Sequence, residues 1–139
     1  YALTEKQLRF IYQKARSGTG STPEKLLRTL EMRLASVMYR SGLAPSIYAA
    51  KQAVVHRHVR VDGRIVDRPG YQMRPGQVAA IDPEKSPSLA AIAQKTDAIP
   101  PQYLEVDKEN CKVTIARQAL LEEIPANVEI MRVVEYYAR

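Results

Sequence analysis

The sequence predicts an α+β fold, and three observations carry that prediction. Apolar residues recur at i, i+3, i+4 and i+7 up to about residue 55, the spacing of helix faces packed on a core. From Val59 the period falls to two, with an Asp62-Gly63 pair that signals a tight hairpin. Two further short runs, Tyr103 to Val106 and Lys112 to Ile115, flank a polar turn at Asp107 to Asn110. Helices first, then a helix feeding a small antiparallel sheet, then a helical tail, is an α+β order.

Each element has a local cause. Thr4-Glu5-Lys6-Gln7 reads as a capping box, in which the Thr4 hydroxyl accepts from the Gln7 amide and the Gln7 side chain reaches back. Leu8, Ile11, Tyr12 and Ala15 form the stripe of that first helix, and Ser17-Gly18-Thr19-Gly20-Ser21 ends it as a loop. Thr22-Pro23-Glu24 restarts the pattern, with proline at the first helical position. Leu27, Leu30, Leu34, Val37 and Met38 continue as one stripe, so a single helix is expected up to Gly42 as its terminal glycine. Ser46 caps a third helix through about Val55, buried along Ala49, Ala50, Ala53 and Val54.

Val59 and Val61 then alternate with His58 and Arg60 as a strand, Asp62-Gly63 turns it, and Ile65-Val66 begins the return. Arg68-Pro69-Gly70 interrupts that strand, and Tyr71-Gln72-Met73 resumes pairing before Pro75-Gly76 turns into Val78 to Ile81. A short helix over Ser88 to Lys95, the strand pair, and a last helix from Val128 to Tyr137 after Pro125 complete the chain.

Charge is unevenly spread. Residues 1–50 hold eight Lys/Arg against three Asp/Glu, residues 51–74 six against two, and residues 75–139 seven against ten. A basic first half and a mildly acidic second half point to a polyanionic partner for the first half, a nucleic acid or an anionic membrane. No apolar run reaches membrane-spanning length and the start lacks a secretory apolar core, which predicts a soluble chain. Cys111 is the lone cysteine, so no internal disulfide or multi-cysteine metal site exists, and its simplest role is to fill space.

The chemistry concentrates between His56 and Gly76. His56 and His58 lie two apart, a spacing that puts both on one face of a strand, but a zinc ion wants three or four ligands and no third is at hand. Phosphate-cradling glycine loops, a serine elbow and a Cys/His pair are all absent, and Glu122-Glu123 diverge on any helix, so no catalytic constellation or cofactor site emerges. Arg57, Arg60, Arg64, Arg68 and Arg74, with Lys51 just before them, instead place guanidinium forks on a turn-defined scaffold. Such forks fit phosphate oxygens and stack on exposed bases.

More specific runs of residues sharpen this. Leu30-Glu31-Met32-Arg33-Leu34, then Val37 to Ala44, then Ala50-Lys51-Gln52-Ala53-Val54-Val55-His56-Arg57-His58-Val59, then Val61-Asp62-Gly63-Arg64-Ile65-Val66, together resemble the S-four RNA-binding module. The flanks, Tyr1 to Arg9 and Ile130 to Arg139, resemble those of the small-subunit ribosomal S-four family, so the likeness runs over nearly the whole chain. It departs at Ser46-Ile47, where the family often has Thr-Arg, at Arg33-Leu34-Ala35-Ser36, where it has Arg-Leu-Asp-Asn, at Gly70-Tyr71, where it has Ser-Tyr, and loosely over residues 81–99. The family's further N-terminal segment, basic and sometimes zinc-binding, has no counterpart in this sequence.

The resemblance implies a small helical domain, residues 1–29 with 125–139, and an inserted RNA-binding domain, residues 30–124. It implies a non-enzymatic ribosomal protein that binds small-subunit ribosomal RNA at a helix junction early in assembly. It also implies contact with small-subunit ribosomal protein five and with messenger RNA where it enters the subunit, in the cytoplasm or an organelle, without metal or cofactor. On that reading Arg33, Lys51, Arg57, Arg60 and Arg64 meet phosphates. His56, His58 and Tyr71 orient the track or touch sugar and base, Gln52 lies among them, and Lys6 and Arg9 extend the footprint. Competing readings are a stand-alone module in ribosome rescue or stress, the targeting part of an RNA-modifying enzyme, and a protein-docking adaptor.

Overall fold

A computed structural model of the chain describes residues 3–16, 22–120 and Glu123. The chain divides into two compact units, one drawn from residues 1–31 and 119–139 and the other from residues 32–118. The loop expected at 17–21 and the last helix expected at 128–137 lie outside the described residues.

In the first unit, α1 (Glu5–Arg16) and α2 (Thr22–Glu31) pack together. The capping box forms as read: the Gln7 amide donates to Thr4 Oγ1 at 3.1 Å and the Thr4 amide to Gln7 Oε1 at 3.1 Å. Tyr12 and Ala15 of α1 and Leu26, Leu27 and Leu30 of α2 are buried, which is where this unit gains its stability. Lys25 Nζ donates to the last-turn carbonyl of Ala15 at 3.1 Å, and Arg28 pairs with Glu24 at 2.6 Å.

The second unit begins with a correction. The stripe from Leu27 to Met38 is not one helix: α2 stops at Glu31, Arg33 is extended (φ −64°, ψ 139°), and α3 (Leu34–Arg40) starts afresh. The reason is long-range. The segment expected to resume hairpin pairing, Tyr71 to Met73, pairs instead across this break, with Gln72 opposite Arg33 and the Met73 amide donating to the Met32 carbonyl at 2.8 Å. The carbonyls of Tyr71 and Pro69 accept from the first amides of α3, Leu34 at 2.8 Å and Ala35 at 3.1 Å. Backbone groups thereby supply the cap that the Arg33 side chain does not.

α3 ends as expected. Gly42 takes φ +81° and its amide donates to the Tyr39 carbonyl at 3.0 Å. α4 (Ile47–Val55) is capped by Ser46, whose Oγ accepts from the Ala49 amide at 3.0 Å. α3 and α4 pack on one another through Leu34, Val37 and Met38 and through Ala50, Ala53 and Val54.

Five strands follow: β1 (Val59–Val61), β2 (Arg64–Ile65), β3 (Val78–Ile81), β4 (Leu104–Asp107) and β5 (Lys112–Ile115), with α5 (Pro87–Gln94) between β3 and β4. They form one antiparallel sheet in the order β2-β1-β3-β5-β4. Val59, Val61, Ala79, Ile81, Val113 and Ile115 all turn to the buried face, the period-two pattern expected of a sheet covered on one side. α5 is tied to the turn before β5, where Gln94 Nε2 donates to the Glu109 carbonyl at 2.8 Å. Cys111 is fully buried with its Sγ 3.7 Å from the Ala90 carbonyl, and burial, with a smaller push from Asp107, raises its thiol pKa. It fills space, as read, and is held in the neutral form.

Ser46→Ala removes one cap bond and should cost about 1 kcal/mol, read as a lower urea midpoint at unchanged slope. Gly42→Ala should cost more, about 2 kcal/mol or above, because the residue is left-handed and a Cβ there would come within 2.7 Å of Ala98 Cβ.

Candidate nucleic-acid interface

The basic surface is built on a hairpin whose turn is fixed twice. Asp62 and Gly63 both have positive φ, 50° and 84°, the signature of a type I′ turn, and Gly63 meets that demand without a side-chain penalty. Asp62 Oδ1 accepts from the Val78 amide at 3.0 Å, so the same residue also pins β1 to β3. The register sets Arg60 opposite Ile65 on the outward face and Arg64 opposite Val61 on the valine face, where its place on the edge strand leaves it exposed.

Along this scaffold Arg57, Arg64, Arg68 and Arg74 are exposed. The nearby carboxylates are occupied: Asp62 is held by the Val78 amide, and Asp67 pairs with Arg57 at 3.5 Å across open solvent. An exposed pair of that length contributes little stability and yields readily to a phosphate. Arg60 folds back, its Nη1 donating to the Gly63 carbonyl at 3.1 Å, and so stiffens the turn while keeping other donors outward.

Not every expected residue sits on this face in the same way. Arg33 is half-buried at the α2–α3 break, and burial lowers its pKa. Its guanidinium lies against Gly70 so closely that a Cβ there would stand 3.0 Å from Nη1. A side chain at position 70 would therefore crowd the Arg33 guanidinium, which lies beside the 69–73 segment. Tyr71 is half-buried with its hydroxyl accepting from Gln77 Nε2 at 3.0 Å. Lys51 is half-buried on α4 and Gln52 exposed beside it, while Ile47 is half-buried at the helix start. Lys6 and Arg9 belong to the other unit, both exposed, with Arg9 paired to Glu5 at 3.3 Å.

The two histidines are arranged otherwise than a strand would have them. His56 is the C-cap of α4 and Arg57 is left-handed (φ 66°), so the chain turns a corner before β1 begins. The rings still approach, with centroids 6.5 Å apart and tilted by 54°. His58 Nδ1 is 2.8 Å from Ser86 Oγ, a contact that brings the start of α5 to the end of α4. Lys85 thereby joins Gln52, His56 and His58 around one cleft. Lys85 escaped the sequence reading because it lies about thirty residues from its neighbours in space, in a segment with no pattern of its own. Among the described residues no group of three or more His, Cys, Asp or Glu side chains is placed to hold a metal ion, and no helix is long and apolar enough to cross a membrane.

Comparison with known proteins fits this geometry. The family model described as the S4 domain matches residues 32–78, the span from the α2–α3 break to the start of β3. The chain is 42% identical over 145 aligned residues to small ribosomal subunit protein uS4 of Bifidobacterium animalis subsp. lactis, covering 100% of this chain and 70% of that protein. It is 41% identical to uS4 of Beutenbergia cavernae over 100% of the chain, and 41% identical to uS4 of Tropheryma whipplei over 99% of it, with 70% of each relative covered. At that identity and coverage the chain belongs to the uS4 family of small ribosomal subunit proteins, a family of ribosomal components rather than of enzymes.

Proposed function

We propose that this chain binds small-subunit ribosomal RNA as a structural component of the small ribosomal subunit, with the hairpin of residues 57–74 as its main phosphate-binding surface. The observation that carries this is four exposed arginines on the hairpin and the segment that follows it, Arg57, Arg64, Arg68 and Arg74, while the neighbouring carboxylates are occupied. Forked guanidinium groups at fixed spacing suit bidentate contact with phosphate oxygens. Phosphate contacts give such a surface its affinity, and RNA shape gives it selectivity.

In this reading residues 30–124 form the RNA-binding domain, and residues 1–29 with 125–139 form a separate helical domain. The compactness of residues 32–118 as a unit supports that division. Lys51, Gln52, Arg60 and the two histidines line the track, Arg33 and Tyr71 brace it, and Lys6 and Arg9 add contacts from the helical domain. The proposal extends to finer features: binding at a junction of RNA helices early in assembly, a neighbouring small-subunit ribosomal protein five, and proximity to messenger RNA where it enters the subunit.

Salt dependence tests the reading directly. If about six phosphates are neutralised, log affinity for deproteinised small-subunit ribosomal RNA should fall against log salt with a slope of roughly −4 to −5 in a filter-binding titration. Arg64→Ala should weaken binding and make that slope shallower by about one, with the urea midpoint unchanged because Arg64 is exposed. A slope near zero for the unsubstituted chain would contradict the proposal.

A further inference from the structure

A cleft of about 400 Å³ opens beside the hairpin, between the last turns of α4, the start of β1 and the first turn of α5. Its size narrows what it suits. It exceeds by more than ten-fold the roughly 30 Å³ that one water occupies, and it lies at the lower end of the roughly 300–1,000 Å³ of sites that enclose organic groups. Its lining is two-sided. Ala49, Ala53 and Leu89 give an apolar wall, whereas Gln52, His56, His58 and Lys85 give a polar edge. No carboxylate is among the lining residues, so nothing in the wall repels an anion.

The polar edge is also preorganised. Ser86 Oγ, itself part of the lining, is 2.8 Å from His58 Nδ1 and so orients that ring within the cleft wall. Gln52 is exposed and its amide offers both donors and an acceptor, the pairing a base edge requires. A free inorganic anion would leave the apolar wall unused. A paired stretch of A-form RNA presents a shallow minor groove and keeps its bases stacked, so it has nothing to insert. The group that uses every wall is an unstacked nucleotide.

We propose that this cleft receives one unpaired nucleotide of the bound RNA. Its base lies against the apolar wall and the imidazole rings, its edge meets Gln52, and its phosphate faces Lys85. This rests on the RNA-binding reading above and adds a single-nucleotide pocket, separate from the hairpin arginines, that would make the chain prefer a junction with a splayed-out base over continuous duplex.

The test is ultraviolet cross-linking of the full chain to deproteinised small-subunit ribosomal RNA, with mapping of the peptide and the nucleotide joined. The proposal expects a cross-link between an unpaired nucleotide and the peptides containing residues 49–56 or 85–89. Ser88→Trp, at an exposed position on the cleft wall, should remove that cross-link and lower affinity about ten-fold, while hairpin cross-links persist. Lys85→Ala, also exposed, should lower affinity without the risk of disturbing the fold, and serves if Ser88→Trp does not fold. Hairpin cross-links alone, or unchanged affinity and cross-linking in the folded variants, overturn the cleft proposal and leave the RNA-binding reading standing. Failure of the unsubstituted chain to bind the RNA at all overturns both.

Discussion

The register of β1 between β2 and β3 is the constraint on which the rest depends. Val59 and Val61 are almost wholly buried, and side chains on a strand alternate with a period of two. A slip of one residue would carry both valines out and drive Arg60 into the core, at a cost of several kcal/mol for the apolar burial alone. Asp62 guards against that slip at the turn, since its left-handed backbone makes the hairpin and its carboxylate holds the Val78 amide of the next strand. A single residue thus ties three strands together, and the faces of Arg60 and Arg64 follow from the register it holds.

The same economy of scaffold explains how so many like charges coexist. Exposed guanidinium groups are bathed in water, which weakens their repulsion, and salt screens what remains. The surface relieves a little of the repulsion with Asp67 and with the Gly63 carbonyl, partners that bind loosely and leave most donors outward. At Arg33 the balance goes the other way: the side chain is half-buried against Gly70, and its cost in desolvation lowers its pKa. It lies where residues 69–73 cap α3, beside the loop that joins the hairpin to the rest of the sheet.

What the sequence made legible was whatever has a local cause. The Thr4 capping box, the Ser46 cap, Gly42 at the end of α3, the Asp62-Gly63 turn and the β4–β5 pair all occur where neighbouring residues dictate them. What stayed hidden arises between distant segments. No local breaker separates α2 from α3, because the break is imposed by residues 69–73 some forty positions later. The two histidines lie at a helix end rather than on one strand, because Arg57 takes a left-handed turn that composition does not announce. Lys85 comes to line the same cleft as His58 only through the packing of α5. The arginines of the site could be read from the sequence, but the cleft beside them could not.

The central claim is that the hairpin arginines face RNA phosphates in the complex. Arginine-selective modification with phenylglyoxal, read residue by residue on the full chain, tests it most directly. With deproteinised small-subunit ribosomal RNA bound, Arg57, Arg64, Arg68 and Arg74 should lose most of the reactivity they show in the free chain. Full reactivity at all four in the bound state would contradict the account.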